Sequence, residues 1–258
     1  MEQAPPLIGV IDLASGRSVR AEGGARKTYR PTKRFRFEDG SMSVIDGDAC
    51  KLMSCYRVAG LGSIYLADLD ALTNGRLQKA TIERMLEHHD ASHDFLLDAG
   101  IDLIADKELQ WLIELTTEYD QVKLIIATEC ATGVDTYVRL VDQVGRHRLW
   151  ISFDYRNQRW LSTQTTEQDW IELCRTLPPS AAIALDLGDV GKRAVDDQAV
   201  NPTGLSTTCE WTLQKRDLIP RDVSLVSGGG VRSWADAQRR MAAGAERLLV
   251  ASWFTAGE

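Results

Sequence analysis

Ser227-Gly228-Gly229-Gly230-Val231-Arg232 is the segment with the plainest chemical content. Successive glycines let the backbone approach a ligand closely, and consecutive amide N–H groups at the start of a helix attract an anion, phosphate above all. Two aspartates supply the other half. Asp12 closes the apolar run that begins at Leu7, and Asp154 closes the run that begins at Arg148-Leu149. Carboxylates on opposite sides of one pocket can act as general acid and general base when their surroundings separate their pKa values. Asp68, Asp70 and Asp186 end apolar runs as well, and can line the same mouth or hold its loops. Arg17, Arg20 and Arg156 are candidates to pair a second anion on the substrate, because the planar guanidinium fork binds two oxygens at once. Asp189, Asp196 and Asp197 read as a solvated loop, so no metal site is expected there, and no cofactor is called for.

These residues need a scaffold that gathers strand ends. Eight strand-length apolar runs occur at 7–13, 63–69, 94–98, 122–128, 148–154, 181–187, 223–227 and 247–252. Helical patterns fall between them at 49–59, 78–89, 106–118, 133–144, 166–176, 205–215 and 232–243. Continuous apolar strands alternating with helices indicate a parallel sheet covered on both faces. Eight such units in 258 residues predict a single (β/α)8 TIM barrel over 1–258. The open doubly wound sheet is the alternative, but no GxGxxG follows the first strand. In a barrel, Asp12 and Asp154 face each other from the first and fifth strands. The glycine run follows the seventh, where barrels commonly bind phosphate, and the end of the eighth, Ala251-Ser252, completes that site.

The two halves of the chain resemble each other. Val10 to Arg17 can be laid on Ser152 to Arg159, which superimposes Asp12 on Asp154. Likewise Asp98-Ala99-Gly100-Ile101 matches Gly228-Gly229-Gly230-Val231, and Asp68 matches Asp186. Such a repeat is what a barrel made of two similar half-barrels leaves behind. After the first strand, residues 18–24 read as an extra hairpin turning at Gly23-Gly24, and 30–48 as a long polar loop. The last helix is short or absent. That would leave a barrel face to be covered, most simply by self-association as a homodimer.

Composition narrows the partners. A net charge of −7, with 30 Lys and Arg against 37 Asp and Glu and no basic block, argues against nucleic acid. The apolar runs are too short to span a membrane, and no cationic leader precedes them, so a cytoplasmic protein with a small phosphorylated metabolite as its partner is expected. Five cysteines without a CxxC pair fit free thiols in a reducing compartment.

The first-strand motif Ile8-Gly9-Val10-Ile11-Asp12-Leu13-Ala14-Ser15-Gly16-Arg17, the second-strand end Ala67-Asp68-Leu69-Asp70 and Ser227-Gly228-Gly229-Gly230-Val231 resemble the HisA/HisF family of histidine biosynthesis over nearly the whole chain. With Tyr29-Arg30-Pro31, the pattern is similar to a divergent HisA-like branch associated with methanopterin-type one-carbon metabolism. The resemblance implies Asp12 and Asp154 as catalytic residues and Ser227, Gly228, Gly229, Gly230, Ala251 and Ser252 as a phosphate site. It also implies an aldose–ketose isomerisation of Amadori type. Three departures stand against the ordinary two-phosphate substrate. Asp98 and Asp102 occupy the family's third-strand phosphate loop, Leu185 replaces a sixth-strand Thr, and Ala251 replaces a Gly. An enzyme of one-carbon cofactor biosynthesis with different chemistry and a non-catalytic phosphometabolite-binding barrel are therefore alternatives.

Overall fold

In the computed structural model, which describes residues 6–22, 25–188 and 207–255, the eight apolar runs pair in parallel and close into a ring. The barrel strands are β1 (Leu7–Ala14), β6 (Ile64–Asp68), β7 (Phe95–Asp98), β8 (Val122–Ala127), β9 (Leu149–Arg156), β11 (Ala181–Asp186), β12 (Ser224–Gly228) and β13 (Arg247–Val250). Each pairs with the next, and β13 returns to β1 with Leu7 opposite Leu248. The fold is the (β/α)8 barrel expected from the sequence. Helices α1 (Ala49–Val58), α3 (Lys79–His88), α4 (Asp106–Glu118), α5 (Asp135–Val144), α6 (Glu167–Thr176), α7 (Thr207–Leu218) and α8 (Trp234–Ala242) connect the strands. A short α2 (Leu69–Asn74) was not anticipated, and α9 (Ser252–Thr255) is a single turn. Residues 189–206, with Asp189, Asp196 and Asp197, and the Gly23-Gly24 turn lie outside the described residues.

Strand alternation divides the core in two. Ile8, Tyr65, Leu96, Ile125, Trp150, Ile183, Val226 and Leu249 fill the barrel interior. Their neighbours, among them Leu7, Ile11, Leu66, Leu97, Leu124, Ile151 and Leu248, face the helices. No helix among the described residues is long and apolar enough to cross a membrane.

The stretch expected as a loop at 30–48 is partly structured. β2 (Arg17–Glu22) and β3 (Ala25–Pro31) form the anticipated hairpin. Beyond it, β4 (Arg34–Arg36) and β5 (Met42–Val44) form a second one, with Phe35 opposite Ser43. The alternation Arg34-Phe35-Arg36 is the signal for that strand: both arginines are exposed while Phe35 is fully buried. Phe35 stacks on Phe254 of α9 with ring centroids 5.2 Å apart, and meets Tyr56 of α1 edge-on at the same distance. This hairpin therefore packs where a longer eighth helix would lie.

Candidate active site

Backbone register sets the mouth. Asp12 lies opposite Ala67, which lies opposite Asp98. In the other half, Asp154 lies opposite Leu185, which lies opposite Gly228. The two trios are equivalent, and parity with Ile8, Leu96, Trp150 and Val226 turns Asp12, Asp98, Asp154 and Gly228 inward at the C-terminal end of the barrel. Asp98 thus stands in one half where Gly228 stands in the other.

Asp154 is buried at 2 % exposure. Its Oδ1 accepts from the Ser152 hydroxyl at 2.6 Å, and its Oδ2 from the Glu129 amide at 3.1 Å and the Thr128 hydroxyl at 3.2 Å. Burial pushes its carboxyl well above the ordinary range, and the Glu129 and Asp98 charges push it further. The Tyr65 hydroxyl, inside the barrel, donates to Asp98 Oδ2 at 2.6 Å. Asp12 is half-buried at its strand end. Sequence reasoning did not assign Glu129 or Tyr65 to the mouth. Tyr65 could have been found from its parity with Ala67, whereas Glu129 sits in a loop that carries no periodic signal.

Asp68 and Asp186 face outward, and both are committed to loops. After β1 the chain turns at Ser15 and Gly16, with φ of 50° and 74°, into β2; after β9 it turns at Asn157 and Gln158, with φ of 51° and 63°, into β10 (Arg159–Trp160). Paired positive φ values are those of a tight hairpin turn. The Asp186 carboxylate accepts directly from the amides of Asn157 at 2.9 Å and Gln158 at 2.7 Å, and from Gly188 at 2.8 Å. Asp68 does the same work through Gln78: it accepts from the Gln78 amide and side chain, both at 2.8 Å, while Gln78 Oε1 accepts from Gly16 at 2.5 Å. Asp70 accepts from Ser15 at 3.0 Å. Of the two roles considered for these acids, loop holding is the one their contacts display.

The glycine-rich loop is held from behind. Ser227 is fully buried, and by strand alternation its hydroxyl points away from the mouth, toward Thr212 at 3.3 Å and Arg240 at 3.2 Å. Any contact of Ser227 with an anion would therefore come from its backbone. Gly229 and Gly230 have φ of 89° and 76°, a left-handed conformation that glycine adopts freely. The helix does not start at the loop as expected: Val231, Arg232 and Ser233 intervene, Ser233 caps α8, and Asp236 accepts from the Arg232 amide at 3.3 Å. Ala251 and Ser252 are half-buried at the start of α9.

Arg17 and Arg20 are engaged away from the mouth. Arg17 donates to the Asp46 carbonyl at 2.6 Å, and Arg20 to the Thr255 carbonyl at 3.1 Å, so both tie β2 to its neighbours. Arg156 is exposed at the tip of β9. Asp102 accepts from the Thr132 amide at 2.7 Å and the Thr136 hydroxyl at 2.5 Å, which anchors the loop before α5. Only Asp98 of the third-strand pair is turned inward at the mouth. Among the described residues no three His, Cys, Asp or Glu side chains are grouped to hold a metal ion. Cys50, Cys55 and Cys174 are free thiols.

No curated protein matches the chain. A family profile described as "Histidine biosynthesis protein" does match, over residues 6–194, which takes in β1 through β11 and both aspartates but stops short of the glycine-rich loop. With a closed barrel and equivalent acids at the mouth of its two halves, the chain belongs to the histidine biosynthesis protein family.

Proposed function

We propose that the chain is a HisA-like acid–base enzyme acting on a small compound with a single phosphate. The observation that carries this reading is the equivalence of Asp12 and Asp154 at the inward ends of the first and fifth strands, with the glycine-rich loop after the seventh. Asp154, buried beside other carboxylates, keeps its proton to higher pH than an ordinary Asp and suits the general acid. Asp12 then serves as base. In an Amadori-type isomerisation Asp154 protonates the sugar ring oxygen as the ring opens, and Asp12 removes the proton from C2.

The phosphate belongs at Gly228, Gly229 and Gly230, with Ala251 and Ser252 beside it, because glycine amides at a strand end suit an anion. At the equivalent place in the other half, Asp98 would repel a second phosphate, so the far end of the substrate is neutral or cationic. The same observation favours a second reading, a different reaction on this scaffold, such as a step of one-carbon cofactor biosynthesis. Calorimetry with inorganic phosphate should give one site per chain. Complementation of a histidine-requiring isomerase-deletion strain at wild-type growth rate, or two equal phosphate sites, would refute the one-phosphate reading. A barrel that turns over no phosphorylated aldosylamine yet binds phosphate is a binding protein or an enzyme of the second kind.

A further inference from the structure

We infer that Arg240 is the positioning residue of the glycine-rich loop: a buried guanidinium that grips the loop's carbonyls from outside the barrel and thereby fixes its amides toward the mouth. The inference rests on the phosphate reading above. Arg240 lies in α8 at 1 % exposure, an environment arginine rarely enters without a set of committed acceptors. Its Nη2 donates to the Gly229 carbonyl at 2.7 Å, and its Nη1 reaches the Ser227 hydroxyl at 3.2 Å and the Gly228 carbonyl at 3.5 Å. Nε lies 3.6 Å from Asp236, which balances the charge.

A trans peptide unit is planar, with its C=O and N–H pointing in opposite directions. When the Gly229 carbonyl is drawn outward to Arg240, the Gly230 amide must point the other way, toward the barrel axis. The Gly228 carbonyl orients the Gly229 amide likewise. Without that grip the two peptide units, free at glycine to flip, could turn carbonyl oxygens toward an incoming anion. The fork is needed as well as the charge, because two peptide units and a hydroxyl are held at once.

The same strand offers an internal control. Arg216 of α7, 4 % exposed, holds the opposite end of β12: it donates to the Val223 carbonyl at 3.0 Å and to the Ile219 carbonyl at 2.9 Å. Both arginines are buried and carbonyl-bound, but only Arg240 touches the loop.

The test measures inorganic phosphate binding by calorimetry on the full chain for the wild type, Arg240→Met, Arg240→Lys and Arg216→Met, with melting temperatures alongside. Both Arg240 variants should bind phosphate more weakly, by about tenfold or more for Met, the scale of a lost charge-assisted hydrogen bond. Lys should not restore binding, whereas Arg216→Met should lower the melting temperature and leave the phosphate affinity unchanged. If Arg240→Met does not fold, Arg240→Met with Asp236→Asn removes the charge imbalance. In the wild type, hydrogen exchange at Gly229 and Gly230 should slow when phosphate is added. Wild-type affinity in an Arg240 variant, or an equal loss in Arg216→Met, overturns the inference alone. Absence of phosphate binding by the wild type, or unchanged exchange at the two glycines when phosphate binds, overturns the phosphate reading and the inference with it.

Discussion

Replacing Gly229 by Ala should both destabilise the barrel and abolish phosphate binding, and Gly16→Ala provides the matched control. Both glycines have positive φ, 89° and 74°, so each substitution incurs the cost of about 1–2 kcal/mol for an L-residue held in the left-handed region. Their surroundings differ. A Cβ at Gly16 has the Thr81 hydroxyl as its nearest neighbour at 3.7 Å, an ordinary contact. A Cβ at Gly229 would sit inside van der Waals contact of the Asp186 carbonyl oxygen and 3.0 Å from its carbonyl carbon. That backbone cannot move aside cheaply, because the Asp186 carboxylate also holds the turn at Asn157 and Gln158. Overpacking adds about 1–3 kcal/mol, giving a total of roughly 2–5 kcal/mol for Gly229→Ala against about 1–2 for Gly16→Ala. At about 2–4 °C per kcal/mol in chains near this size, the melting temperature should fall by roughly 10 °C in the first variant and about 5 °C in the second. Calorimetric unfolding measures both, and phosphate titration below the transition should show binding lost only in Gly229→Ala. Equal melting shifts, or retained phosphate affinity in Gly229→Ala, would refute the steric argument.

Asp154→Asn should abolish turnover, since Asn cannot exchange the proton, and should also flatten the dependence of stability on pH. A carboxyl whose pKa is raised by folding binds its proton more tightly in the native state, so stability falls as pH rises from the ordinary Asp range toward the raised value, and the variant should lose that fall. Gln158→Gly should stabilise the chain by about 0.5–1 kcal/mol in urea unfolding, because Gln158 carries a φ of 63° at the position equivalent to Gly16. Phe35→Ala should cost about 3–5 kcal/mol by the same assay, the value for a core aromatic, although Phe35 belongs to a stretch that reads as loop.

The barrel was legible because parallel strands are buried on both faces and so appear as unbroken apolar runs; α4 falls at 106–118 as expected. The second turn was less visible. Neither Asn157 nor Gln158 is glycine, and only alignment of the halves brings them onto Ser15 and Gly16. Side-chain direction was the larger gap. Ser227 beside three glycines looks like an anion ligand until strand parity turns it outward, and Arg240 looks like surface charge because its burial depends on β12 and α7 packing against it. The glycine-rich loop could be read, but not the residue behind it.

The placement of the acids has a consequence for how such a barrel can change. Asp12, Asp98 and Asp154 stand on the first, third and fifth strands and face the cavity, whereas Asp68 and Asp186 stand on the second and sixth, face outward and hold the turns. Acids that face the cavity and acids that hold the hairpin turns thus stand on alternate strands. The inward acids hold neither hairpin turn, so Asp98 in one half and Gly228 in the other can differ while both hairpins keep the same anchors. A duplicated half-barrel arranged in this way is free to become asymmetric in chemistry while remaining symmetric in architecture.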